Sequence, residues 1–176
     1  MRRYFVLFAA LLLTVAVYAQ KASTKKQQKG SSEAASTEQQ QKATGGAKTY
    51  TPDKMEWGTA PNALPSGAQL AVLEGDPMKP GAYTMRLKMP DGYRIPPHMH
   101  MRREHVTVVS GELHVGMGDK FDENAMNSFS PGSFAYLEPS THHYAMAKGD
   151  TVIQLHGTGP WGIKYVNPSD DPRKKQ

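Results

Sequence analysis

The sequence predicts an all-β fold, a single β-sandwich or small barrel carried behind an N-terminal leader and a linker. Three observations predict it. Past Tyr50 the chain is a series of short segments in which apolar and polar residues alternate. Turn-forming Gly, Pro, Asn, Asp and Ser separate these segments at regular intervals. No long amphipathic helical pattern and no internal repeat appears, and 176 residues suit one domain with a real core.

The leader comes first. Met1-Arg2-Arg3 is a positive start, residues 4–17 are almost wholly apolar, and Val17-Tyr18-Ala19 offers a small-residue cleavage pattern before Gln20. This reads as a secretory signal peptide over residues 1–19, which places the mature protein in the periplasm or outside the cell. The apolar run falls short of the ~20 residues that span a bilayer comfortably, so no stable membrane anchor is expected after cleavage. An uncleaved anchor is the alternative. Residues 20–48 hold Lys, Gln, Ser, Thr, Ala and Gly with no large apolar side chain. Such a stretch cannot bury enough surface to offset its ordering entropy, so a disordered linker is expected.

The folded domain is assigned to residues 49–176. Trp57-Gly58 precedes a turn-rich stretch at 61–67, and Gln69–Glu74 is the first alternating segment. Residues 82–89 form the next, with Tyr83, Met85, Leu87 and Met89 on one face and Thr84, Arg86 and Lys88 on the other. Residues 104–109 lead through Ser110-Gly111 into 112–117, a hairpin signal. Residues 133–137, 143–147, 151–156 and 163–166 complete the set.

Charge and cysteine content narrow the function. The net charge is +5, but residues 1–48 hold 8 Lys/Arg against 2 Asp/Glu, and the remainder holds 13 against 14. The basicity belongs to the N-terminal segment, and no basic face is expected on the domain, so nucleic acid is not an expected partner. With no cysteine, disulfides, thiolate metal sites, a cysteine nucleophile and lipidation at an N-terminal cysteine are excluded. There is no Gly-rich phosphate loop and no Gly-x-Ser-x-Gly nucleophile pattern. Any metal must be held by nitrogen and oxygen.

The stretch from Gly92 to Gly111 supplies such donors. It reads Gly92-Tyr-Arg-Ile-Pro-Pro-His98-Met-His100-Met-Arg-Arg-Glu104-His-Val-Thr-Val-Val-Ser-Gly111. His98, His100 and Glu104 share parity, so on an extended chain they face one side. Imidazoles with a carboxylate suit a borderline divalent metal. The spacing Gly-x5-His-x-His-x3-Glu-x6-Gly resembles the first motif of the cupin superfamily at every fixed position. The resemblance implies a single cupin-type β-barrel, a jelly roll of the RmlC-like kind, similar to small single-domain bacterial cupins.

It also implies a fourth ligand from a second motif, similar to Gly-x5-Pro-x-Gly-x2-His-x3-Asn. Counted from Gly132, its histidine falls at His143. His142 would be one residue out of register, which on a strand is the opposite face. Here Glu138 stands for the Pro, Ser140 for the Gly and Ala147 for the Asn. The departures leave the path of this turn open, with His142 the alternative ligand if the turn shifts. The implied site is one divalent transition metal (Fe, Mn, Ni, Cu or Zn) on His98, His100, Glu104 and His143.

Other candidates stand around it. Glu138 and His142 are the nearest candidates for a general base. His105 has the opposite parity to Glu104 and is expected to point away. His114 and His156 are either strand histidines or groups that hold a ligand in position. Tyr83, Met85, Tyr144, Trp161 and Tyr165 are expected as barrel core, with pocket lining the alternative. Arg86 and Arg94 are open to a carboxylate but default to a solvated strand face.

The resulting expectation is an exported metal-dependent protein acting on a small organic molecule, by dioxygenase-type oxidation or by isomerisation, since the resemblance implies both. The alternative is a non-catalytic module that binds a small ligand, with a stabilising metal. A homodimer is the expected assembly.

Overall fold

The computed structural model describes residues 46–174. The expected signal peptide and nearly all of the expected linker lie outside the described residues. Nine strands are present: β1 (Gly58–Thr59), β2 (Gln69–Glu74), β3 (Gly81–Met89), β4 (Arg94–Met99), β5 (Glu104–Met117), β6 (Asn127–Phe129), β7 (Phe134–Leu137), β8 (His143–Gly159) and β9 (Lys164–Tyr165). The helical segments among these residues are single 3-10 turns, such as Pro52–Lys54 and Glu123–Ala125.

β8 is the axis of the sheet. Along one edge its C-terminal part pairs with β3 (Met89 opposite Thr151) and its N-terminal part with β4 (His98 opposite His143). Along the other edge it pairs with the whole of β5, from His105 opposite His156 to Met117 opposite His143. β2 and β1 extend the sheet beyond β3, β9 beyond β4, and β6 and β7 beyond β5. All pairs are antiparallel.

The sheet bends where three irregularities line up. Between β3 and β4 the chain turns at residues 90–93, and Gly92 N–H and Tyr93 C=O bond Ala147 across the gap. In β5 the irregularity is Ser110-Gly111, and in β8 it is residues 148–150, where the register between the two strands shifts. Thr151, with no exposed surface, ties this corner: its Oγ1 accepts from Glu112 N–H at 3.2 Å and lies 3.0 Å from Gly149 C=O and 3.1 Å from Glu112 C=O. Gly111 has φ +74, and a Cβ there would sit 2.5 Å from Asp150 C=O. Only glycine fits the corner.

This corrects the hairpin expected at Ser110-Gly111. Residues 104–109 and 112–117 do not pair with each other; both pair with β8 as one strand. The positive φ of Gly111 serves a bulge rather than a reversal. The core side chains accordingly change parity across it, from Val106 and Val108 to Leu113 and Val115. Likewise, residues 143–147 and 151–156 are one bent strand, not two.

The bends bring the inner faces of the two halves onto one core. Tyr83, Met85, Leu87 and Met89 of β3 are all buried, as their alternation predicts, and share a cluster with Ile95, Val108, Leu113, Ala145, Ile153 and Leu155. Each buried Val, Leu, Ile or Met side chain among them contributes about 1.5–3 kcal/mol on leaving water.

Candidate metal centre

His98, His100 and His143 converge. Each offers one ring nitrogen, and these nitrogens all lie within 4.8 Å of one another; all three residues are buried. His98 and His143 face each other in the β4–β8 register, with ring centroids 4.1 Å apart. Pro96 and Pro97 carry no N–H for the ladder, and the register between β4 and β8 shifts between Ile95 and His98.

The other ring nitrogen of each histidine is committed. His98 Nδ1 lies 2.7 Å from Pro96 C=O, His100 Nδ1 2.7 Å from Gly162 C=O, and His143 Nδ1 3.0 Å from Thr141 C=O. A carbonyl only accepts, so each Nδ1 must carry the proton and donate it. Each Nε2 is therefore left with a lone pair, the form in which imidazole binds a metal. Burial, then the neighbouring His143 and His100, hold His98 well below the usual imidazole range, and burial also lowers His143. Both are neutral at pH 7. Three buried, pre-oriented imidazoles fit a divalent transition metal.

Glu104 lies beside them. Its Oε2 is 3.3 Å from His100 Nε2, and its Oε1 accepts a hydrogen bond from Trp161 Nε1 at 3.0 Å. Shared parity is not what places it there. β4 ends at Met99, Met101 and Arg102 make a bend, and β5 begins at Glu104. His100 and Glu104 thus meet across a turn rather than along one strand.

The turn before β8 also follows the expected register. Ser140, which stands where the second motif has Gly, takes φ +64, the left-handed conformation that a glycine adopts freely. Its N–H bonds His100 C=O at 2.8 Å. The departures from the motif are absorbed in the turn, and it is His143, not His142, that joins the cluster.

The remaining candidates sit elsewhere. His142 is partly exposed, its Nδ1 2.5 Å from Asp119 Oδ1. Glu138 is exposed and held by both the Nε and the terminal nitrogen of Arg103. Neither lines the pocket at the cluster. His105 turns away, stacking on His156 with centroids 4.7 Å apart. His114 bonds Glu112 at 2.6 Å. Arg86 bonds Gln154, and Arg94 pairs with Glu123. Tyr83, Met85, Tyr144 and Tyr165 are buried and do not line the pocket, whereas Trp161 does.

That pocket has a volume of ≈ 100 Å³ and lies between the two halves of the sheet. The cluster lines it, together with Leu87, Val108, Leu113, Phe129 and Ile153. Sequence reasoning missed Trp161 as the partner of Glu104 and missed the three carbonyls. The carbonyls carry no side-chain signal, so no pattern could have revealed them.

A family model described as the ChrR cupin-like domain matches residues 46–162. The chain belongs to that family of cupins. This cupin is also similar in fold to the polyketide cyclase RemF from Streptomyces resistomycificus, at 14% identity and a TM-score of 0.58, over 73% of this chain and 91% of that one. A putative acetylacetone dioxygenase from Methylibium petroleiphilum is similar at 16% identity and a TM-score of 0.53, over 74% and 88%. No curated protein matches.

Proposed function

We propose that this cupin is an exported protein that holds one divalent transition metal on His98, His100, His143 and Glu104 and acts there on a small organic molecule. The observation that carries this reading is the shared orientation of the three histidines, each with Nδ1–H on a carbonyl and the ring turned into one apolar-walled pocket. Nothing in a stable β-barrel requires three imidazoles to be buried together with their ring nitrogens converging.

A divalent metal bound there supplies Lewis acidity or, if it is redox-active, dioxygen chemistry. The protein's own groups do the rest. Three neutral imidazoles and one carboxylate leave a local charge near +1 around a divalent ion, which suits an anionic or enolisable oxygen. Trp161 fixes one carboxylate oxygen, so Glu104 presents the other toward His100. Apolar walls exclude water. Neither general-base candidate lines the pocket, and His142 is held by Asp119 through its Nδ1. The Glu138 carboxylate is engaged by Arg103. The reading extends to dioxygenase-type oxidation or isomerisation, the chemistries that the cupin resemblance implied.

A second reading is a non-catalytic binding module with a stabilising metal. It is favoured by the pocket walls, which carry no acid or base beyond the cluster.

Metal analysis of the full chain, purified without an affinity metal, tests the proposal. About one transition metal per chain, lost in His98→Ala, is expected; no metal after anaerobic reconstitution refutes it. Turnover that needs the metal then separates enzyme from binder. Export is tested by N-terminal sequencing of protein recovered outside the cytoplasm, which should begin at Gln20.

A further inference from the structure

We propose that the ligand of this pocket is a compact, mostly apolar compound with its polarity confined to one metal-binding group carrying at most one negative charge. The inference rests on the metal reading above and adds to it the class of molecule accepted.

The walls carry it. Among the described residues no Lys, Arg, Asp, Asn, Gln or Thr lines the pocket. Its polar side chains are the three histidines, Glu104, Ser133, Tyr136 and Trp161. The Trp161 N–H is given to Glu104, and Tyr136 is more than half exposed, with the Arg103 guanidinium over its ring. Away from the cluster the surface is therefore aliphatic and aromatic apart from the Ser133 hydroxyl. A sugar hydroxyl, an ammonium or a phosphate placed there would be stripped of water with no partner, at a cost in affinity of roughly ten-fold per group. Such groups are excluded by the walls rather than selected by a contact.

Size and charge set the other limits. A volume of ≈ 100 Å³ corresponds to roughly three waters at about 30 Å³ each, so the ligand is compact. A metal on the four proposed ligands leaves about one positive charge, so one negative charge on the ligand balances it. A dianion would bury an excess charge against apolar walls, with no cation in the lining to offset it.

Two chelators of similar reach separate the possibilities. Tropolone is a flat monoanion with two adjacent oxygens on an apolar ring; oxalate is a dianion with no apolar body. Each is titrated into the Co(II)-loaded full chain and, separately, into Co(II) in buffer. The tropolone-to-oxalate affinity ratio should rise ten-fold or more on the protein. An unchanged or lower ratio overturns the proposal. Phe129 is a partly buried wall residue on the short strand β6, and Phe129→Ala should shift preference toward 4-isopropyltropolone. If that variant does not fold, the wild-type ratio still decides. If the chain takes up no Co(II), the metal reading fails. The apolar part is then decided by toluene on metal-free protein: a raised melting temperature supports it, and no shift overturns it.

Discussion

Trp161 donates its indole N–H to Glu104 Oε1 at 3.0 Å, and both side chains are buried. The bond joins the loop before β9 to the first residue of β5. It leaves Oε2 as the carboxylate oxygen nearest His100. In Trp161→Phe the carboxylate loses the indole donor and is freer to rotate. Residues that orient a metal ligand typically cost 10–100-fold in affinity when replaced. Trp161→Phe should weaken metal binding by about that much while the domain stays folded, as measured by competition with a chelator. Glu104→Gln should weaken it further. Equal affinity in Trp161→Phe and wild type would show that the indole only packs.

His142 and His143 are neighbours in sequence with different surroundings. His143 is buried in the cluster; His142 is partly exposed and bonded to Asp119. His143→Ala should abolish metal retention, and His142→Ala should leave it unchanged, as read by elemental mass spectrometry. Metal loss in His142→Ala alone would move the fourth ligand to His142 and refute the register counted from Gly132.

That register was legible because strand parity is strict: one residue of slip reverses a face. The β3 face of Tyr83, Met85, Leu87 and Met89 was legible for the same reason. What misled was Ser110-Gly111. A Gly with positive φ between two alternating runs fits a hairpin and a bulge equally well. Only the partner strand decides, and β8 lies more than thirty residues further along the chain. The approach of Glu104 to His100 was legible in its result but not in its cause. Parity brings the two to one side only on an extended chain, whereas the chain turns at residues 101–103. The link from Trp161 to Glu104 spans 57 residues and leaves no local trace.

Ser140 holds φ +64, a conformation that costs a residue with a Cβ roughly 1–2 kcal/mol and glycine much less. Ser140→Gly should stabilise the domain, by up to about 1 kcal/mol once the added freedom of the unfolded chain is set against the relieved strain. Chemical denaturation measures this. A loss of stability would mean that the serine hydroxyl supports the turn by more than the strain costs.

Thr151 is buried at the corner, where its hydroxyl accepts from Glu112 N–H and reaches Glu112 and Gly149 carbonyls. Valine has nearly the same shape but cannot do either. Thr151→Val leaves a buried N–H without its partner, which should destabilise the domain by about 1–3 kcal/mol. Because the corner sets how β5 and β8 cross from one half of the sheet to the other, the loss should appear as a lowered denaturation midpoint with an unchanged denaturant slope. A changed slope would indicate a loosened native state instead.

Alkaline pH should destabilise the domain through three tyrosines. Burial raises Tyr83, Tyr93 and Tyr165 well above the usual tyrosine value of 10.0. Tyr93 and Tyr165 also donate their hydroxyls to the carbonyls of Pro65 and Ala63, at 2.5 and 2.8 Å. In the unfolded chain each loses its proton near pH 10, while in the folded chain each keeps it. The folded state therefore binds more protons above pH 10, and stability falls as pH rises. The contribution is fully present below pH 10 and is lost progressively above it. Tyr93→Phe removes one titrating group and should flatten this fall, at some cost in stability at neutral pH from the lost bond to Pro65. Denaturation midpoints between pH 8 and about pH 11 measure both effects. Parallel curves for Tyr93→Phe and wild type would show that the Tyr93 phenol titrates alike in the two states, and would remove it from the account.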